Sequence, residues 1–201
     1  MKFLELNKKR HAIKHFTDQP VDPKDVRTAI EIATLAPSAY NSQPWKFVVV
    51  RQKNAELAKV AYGGNYDQIM EAPVTIALFT DTDLQRRARK IARVGGVKNF
   101  TDEQLQYFMQ NLPAEYARYN EQQISDYLAL NAGLVAMNLV LALTDQGIGS
   151  NIILGFDKSK VNEVLEIEER FRPELLITVG YAAEKVEPSY RLPVDEIIEK
   201  R

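Results

Sequence analysis

Cysteine is absent from the 201 residues, and histidine occurs only at His11 and His15. Without a thiol the chain has no disulfide, thiolate nucleophile or cysteine metal site, and two histidines leave little for a histidine metal site or a catalytic triad. No metal is expected, and any redox chemistry would come from a bound cofactor. An excess of one charge is also missing: 26 Lys plus Arg against 27 Asp plus Glu leave a net charge of −1, with no global attraction to nucleic acid or to an anionic membrane. Residues 1–6 have no long apolar core, and no run approaches the roughly eighteen apolar residues of a membrane span. A cytoplasmic protein is expected. No repeat, low-complexity segment or linker interrupts the chain, so residues 1–201 are read as one domain. G-x-G-x-x-G and G-x-x-x-x-G-K-[ST] are absent as well; Gly147 and Gly149 are not followed by a third glycine at Ile152, so a dedicated dinucleotide fold is unsupported.

What the chain does have is a polar segment joining a helix end to a strand, Ala36-Pro37-Ser38-Ala39-Tyr40-Asn41-Ser42-Gln43-Pro44-Trp45. Pro37 disfavours helix at Ala36, Pro44 biases Gln43 towards extended backbone, and residues 45–51 then read as a strand. Ser38, Asn41, Ser42 and Gln43 supply donors and acceptors, while Ala39 leaves room for close approach. The set suits a flat ligand with polar edges; an ordinary polar loop is the alternative. Near the start, Lys8-Lys9-Arg10-His11-Ala12-Ile13-Lys14-His15-Phe16 places Arg10 and Lys14 at the i,i+4 spacing of a helix. An arginine fork and a mobile lysine charge could then face one anion, or the turn could simply be solvated.

Elsewhere, Asp22 followed by Pro23 marks a helix start, with Val26, Ile30 and Ala33 at helical spacing. Residues 45–51 and 74–80 read as strands buried on both faces, separated by a helix over 55–61 and a turn at Asn65. Residues 84–94 read as a helix carrying Arg86, Arg87, Arg89, Lys90 and Arg93, either a solvated face or a device that steers an anionic dinucleotide. Thr101-Asp102-Glu103-Gln104 fits a capping box opening a helix through Met109. Tyr107, Phe108, Tyr116 and Tyr119 follow, as a packed helical hairpin or a flap over a ring-shaped substrate. Residues 124–146 form the longest helical pattern. Leu130, Leu134, Met137, Val140 and Leu141 occupy more than one stripe, which favours a core helix or a subunit interface. Residues 175–181 read as a further strand.

Taken in order, the Arg-x-x-x-Lys-x-Phe opening and the Ala36 to Trp45 segment resemble the FMN-dependent nitroreductase family. So do Asn65-Tyr66-Asp67-Gln68 with Glu71-Ala72-Pro73, the Gly147 to Asp157 segment, and Tyr190-Arg191-Leu192-Pro193. The likeness spans nearly the whole chain. It implies an α+β fold in three α/β/α layers, with a mostly antiparallel central sheet flanked by helices, and an intertwined homodimer with flavin at the interface. It also implies that Arg10 and Arg191 meet the FMN phosphate, with backbone contacts from His11 and Ala12. Pro37, Ser38, Ala39 and Asn41 would contact the flavin, with Ser38, Ala39 and Asn41 coming from the partner subunit. Asn65 and Gln68 would meet the ring edge or ribityl chain. Ile153, Leu154 and Gly155 would approach the ring, Leu154 and Gly155 through backbone N–H near N5, and Lys14 would sit near N1 and the C2 carbonyl. Tyr40, Tyr116 and Tyr119 are the implied substrate residues, and no side chain is assigned as catalytic. NADH or NADPH would reduce the flavin, and a nitroaromatic, quinone or similar acceptor would reoxidise it in ping-pong order. A specialised FMN enzyme, like dehalogenating or flavin-degrading relatives, and a flavin-storage dimer remain alternatives. The chain departs from the better known enteric members at Ala12, where they have serine, at Gln68 and Ser189, where they have lysine, and at Leu154, where glutamate is common.

Overall fold

A computed structural model describes residues 2–52, 54–97 and 100–201. In chain order the helices are α1 (Phe3–Lys9), α2 (Pro23–Ala33), α3 (Asn54–Ala58), α4 (Asn65–Glu71), α5 (Leu84–Val97), α6 (Asp102–Gln106), α7 (Leu112–Tyr116), α8 (Glu121–Asp145) and α9 (Lys158–Leu165). The strands are β1 (Trp45–Val50), β2 (Val74–Asp81), β3 (Gly149–Ile153) and β4 (Phe171–Gly180), in the spatial order β1-β2-β4-β3. Every pairing among them is antiparallel. A bulge between Leu78 and Phe79 faces Pro173 and Glu174. It lies where β4 extends beyond β3, so the missing proline N–H breaks no second ladder.

The period of two along the strands sorts the core into two layers. Val74, Ile76 and Leu78 of β2, with Leu175, Ile177 and Val179 of β4, pack on α2 and α8. The alternate residues Ala77, Phe79, Leu176 and Ile153 pack on α3, α4 and α9. Three layers result, α/β/α. β2 is buried along its whole length, as its unbroken apolar run implies. β1 is not: it pairs only with β2, and Val49 is 40% exposed, so the expectation of burial on both faces fails for this edge strand.

Local signals explain several helix starts. Asp22 Oδ1 accepts from Lys24 N at 2.7 Å and Pro23 occupies the first turn of α2. Thr101 and Gln104 form the expected capping box, and Asn120 with Gln123 forms a second at α8. The helix after Thr101 does not run regularly to Met109. It widens into a π turn over Tyr107–Asn111 before α7, because Pro113 has no N–H to give the Met109 carbonyl. Residues 65–71 are helical, where the sequence suggested only a turn, since Gly63 takes φ +56° and Gly64 starts α4. α8 is the one described helix long and apolar enough to cross a membrane by length and composition. Packing on the sheet accounts for that apolarity on one side, where Val135, Leu139 and Leu143 are fully buried. Leu130, Leu134 and Met137 form a second stripe, 68%, 41% and 41% exposed.

Candidate functional site

The basic opening does not form the helix its spacing suggested. α1 ends at Lys9, Arg10 is extended (φ −71°, ψ 117°), and Ala12 makes a parallel bridge to Ser150 on the outer edge of β3. Ile13 N donates to Ser150 O at 3.0 Å and Thr17 N to Tyr181 O at 2.9 Å, so this segment lies between β3 and the chain leaving β4. Arg10 and Lys14 remain on one side, since four is also an even number of strand steps. At roughly 3.3 Å per residue an extended segment sets their Cα atoms about 13 Å apart. Arg10 instead joins Arg191: with Asn7, Lys8, His11 and Ser189 they line a cleft of about 380 Å³. Arg191 Nη1 donates only to the Tyr190 and Ser189 carbonyls, at 2.8 and 3.3 Å. Among the described residues neither guanidinium is paired with a carboxylate.

A second group adjoins the end of β3. Asn65 Nδ2 donates to Gly155 O at 3.0 Å, and Asn151 Nδ2 donates to Gln68 Oε1 at 2.6 Å. A Cβ on Gly155 would lie 2.7 Å from Asn65 Nδ2, so any larger residue there would displace the asparagine amide. Leu154 is 67% exposed, whereas the Ile153 side chain is buried in the core, which leaves Ile153 only its backbone for any ligand. Asn151, to which the sequence reading gave no role, orients Gln68. Lys14 is exposed on the extended segment.

The polar segment 37–43 lies at the opposite edge of the sheet, ahead of β1. Three strand spacings, about 14 Å, separate that edge from β3. Tyr40, Asn41 and Gln43 adopt φ of 53°, 51° and 44°, left-handed backbone that L residues enter at a cost of roughly 1–2 kcal/mol each. Two residues of α8 hold it. The buried Asn131 accepts from Ala39 N at 2.9 Å, and Tyr127 OH lies 2.8 Å from Ala39 O and 2.9 Å from Ser42 Oγ. The signal for this pair was a tyrosine and an asparagine four residues apart, at the i,i+4 spacing that puts them on one helix face. Pro37, Ala39 and Asn41 are exposed and Ser38 is half-buried, its Oγ accepting from Gln43 N at 3.0 Å.

A Nitroreductase family model matches residues 8–181. The chain belongs to the nitroreductase family. It is 67% identical over the whole of both chains to a Streptococcus pyogenes protein named as a candidate NAD(P)H nitroreductase, Spy0809. The crystal structure of a nitroreductase family protein from Streptococcus pneumoniae superposes with a TM-score of 0.97 at 87% identity, covering all of both chains. A candidate nitroreductase from Exiguobacterium sibiricum, solved in complex with FMN, gives 0.91 at 27% identity over 100% of this chain and 98% of its own.

The aromatic region packs as a helical cluster of α5, α7 and the start of α8. Tyr116, implied at the substrate surface, is 3% exposed and its OH lies 2.9 Å from Tyr127 OH. It buttresses the 37–43 loop from beneath. Tyr40 stands above it, 42% exposed, with its ring 6.3 Å from that of Tyr116 and its OH 3.4 Å from Glu115 Oε1. Desolvation, then Tyr127, pushes the Tyr116 phenol well above its usual range; desolvation and then Tyr40 push Tyr107 up to about 12. Tyr119 is shifted upward by desolvation and then Glu115. These hydroxyls are donors at neutral pH. Among the described residues no group of three His, Asp or Glu could hold a metal ion.

Proposed function

We propose that the chain is an FMN-dependent oxidoreductase that takes hydride from NADH or NADPH and passes it to nitroaromatics, quinones or similar acceptors, as a cytoplasmic homodimer. The observation that carries this reading is the cleft where Arg10, His11 and Arg191 converge without a neutralising carboxylate among the described residues. Its donor set fits a phosphate monoester, for which two guanidinium forks are well matched. Arg10 and Arg191 would hold that phosphate, with His11 and Ala12 adding backbone contacts. Asn65 and Gln68, already oriented by Gly155 and Asn151, would meet the ring edge or ribityl chain. Leu154 and Gly155 would offer backbone N–H at the bend beyond β3, and Lys14 would supply positive charge at the N1–C2 side. Bound FMN supplies the reversible hydride chemistry that no side chain here can.

The homodimer is supported by the split between the cleft on one sheet edge and the 37–43 loop on the other. It is also supported by uncovered apolar surface: Leu130, Leu134 and Met137 on α8, Ile32 and Leu35 at the end of α2, and Leu192, Val194, Ile197 and Ile198 near the C-terminus. A second copy would cover such surface and bring one chain's Ser38, Ala39, Tyr40 and Asn41 to the other's cleft. Ping-pong order is supported by the lack of a separate dinucleotide motif. The cytoplasmic setting follows from the need for reduced pyridine nucleotide.

Purified protein should be yellow, with about one FMN per protomer, and should oxidise NADH or NADPH faster with a nitrofuran or menadione than with oxygen alone. Double-reciprocal plots should be parallel. A colourless protein that takes up no added FMN would overturn the reading.

A further inference from the structure

Five cations lie on α5, but they do not share one fate. Arg86, Arg87 and Lys90 line a cleft of about 250 Å³, joined there by Lys46 at the start of β1 and Arg170 just before β4, while Arg89 and Arg93 do not. The one carboxylate in the lining is Asp81, 3% exposed. Five positive charges against one carboxylate in the lining, with Glu168 beside Arg170 outside it, is not the pattern of a solvated helix face, whose charges spread around the axis.

Three of the five cations are also held in place. Arg87 Nε donates to Ser42 O at 3.2 Å. Lys46 Nζ lies 4.1 Å and Arg170 Cζ 4.5 Å from the centroid of the Phe171 ring, a cation–π arrangement that fixes both heads over one face-bearing residue. Arg170 Nε is buried and makes no hydrogen bond, although Glu168 Oε2 is 3.4 Å away. Burial lowers the Arg87 pKa; Asp81 opposes the shift and Arg170 adds to it. Like charges fixed at short range repel, and an anion in the cleft would relieve that repulsion. The volume is below the roughly 300 Å³ at which pockets for drug-sized ligands begin, so a phosphate or diphosphate fits better than a whole dinucleotide.

We propose that this cleft is an anion subsite for a phosphoryl group, separate from the cleft of Arg10 and Arg191. The group could arrive as free phosphate or diphosphate, or as the terminal phosphate of a nucleotide. Trp45, the only tryptophan in the chain, lines the cleft and gives an internal reporter.

The test titrates the full-length protein, as purified, with inorganic diphosphate at constant ionic strength, read by calorimetry and by Trp45 emission. Saturable binding with a change in emission is expected. It should weaken at least tenfold in the double variant Arg86→Gln with Lys90→Gln, the loss typical of charge-assisted bonds, while Arg89→Gln binds as the parent does. Both mutated side chains are exposed, so the melting temperature should hold and a loss of binding would not report misfolding. Adenosine 2′,5′-bisphosphate binding at least tenfold tighter than diphosphate would identify a nucleotide source, and equal or weaker binding a free one. No saturable signal at constant ionic strength, or equal weakening by Arg89→Gln, would overturn the proposal.

Discussion

Asn131→Ala probes the 37–43 loop most directly. The asparagine is 1% exposed, accepts from Ala39 N at 2.9 Å and donates to Tyr127 O at 2.6 Å. Truncation removes two hydrogen bonds worth about 1 kcal/mol each and strands the Ala39 N–H, which adds roughly 1–3 kcal/mol if it stays dry. The loop has an escape: Tyr40, Asn41 and Gln43 hold left-handed backbone, so opening releases roughly 1–2 kcal/mol per residue. The loss of global stability should therefore stop near 2 kcal/mol, with the loop opening locally first. With a urea m-value of about 2 kcal/mol/M, the midpoint should fall by about 1 M. Hydrogen exchange should speed at the amides of Ala39 and Gln43 while those of β2 stay protected, and flavin retention should drop. An unchanged exchange rate at Ala39 in Asn131→Ala would refute the claim that α8 holds this loop.

Arg191→Ala should weaken FMN binding about ten- to hundredfold, since a charged hydrogen bond contributes roughly 1.5–3 kcal/mol; equilibrium dialysis reads it, and an unchanged Kd would take Arg191 off the phosphate. Lys14→Ala should lower the flavin midpoint potential by several tens of millivolts, and by at most about 90. A unit charge pair at about 4 Å gives at most roughly 4 kcal/mol in an effective dielectric of about 20, and about 1.4 kcal/mol is about 30 mV for two electrons; Lys14→Arg should retain most of the potential. Leu134→Glu with Met137→Glu should convert a dimer of about twice 22.9 kDa into a monomer by light scattering, with loss of FMN; a dimer unaffected by both charges would place the interface elsewhere. The raised pKa values of Tyr107, Tyr116 and Tyr119 mean that above about pH 10 the unfolded chain releases protons the folded one keeps. Stability should fall as pH rises from about 10, and Tyr116→Phe should flatten that slope in urea melts at pH 9 to 11.

Helix starts were legible where one side chain settles them, as at Asp22–Pro23 and Thr101–Gln104, and β2 was legible because eight consecutive residues are buried. The resemblance located Arg10 and Arg191, and the structure brings them to one cleft. Other features depend on distant partners. Arg10 and Lys14 fall on one side in a helix or a strand, so their spacing could not choose between the two; pairing of Ala12 with Ser150 does. The exposure of Val49 follows from the place of β1 at the edge, which no local pattern encodes. Tyr107, Phe108, Tyr116 and Tyr119 suited a packed hairpin or a flap alike, and the choice for Tyr116 depends on Tyr127, which takes its hydroxyl. The left-handed positions Tyr40, Asn41 and Gln43 include no glycine to announce them.

The strand order has a consequence for how the chain is made. β4 lies between β2 and β3 yet is the last strand to leave the ribosome, and its first residue, Phe171, follows the end of β2 at Asp81 by 90 residues. At about 5–20 residues per second, the β1–β2 ribbon waits roughly 5–20 seconds for its central neighbour. During that interval Val74, Ile76, Leu78 and Phe79, all at 0% exposure in the finished fold, lack β4 altogether. Synthesis must therefore pass through a stage with an open apolar ribbon, and a pause or truncation before residue 171 should leave a nascent chain that chaperones hold and that aggregates when released.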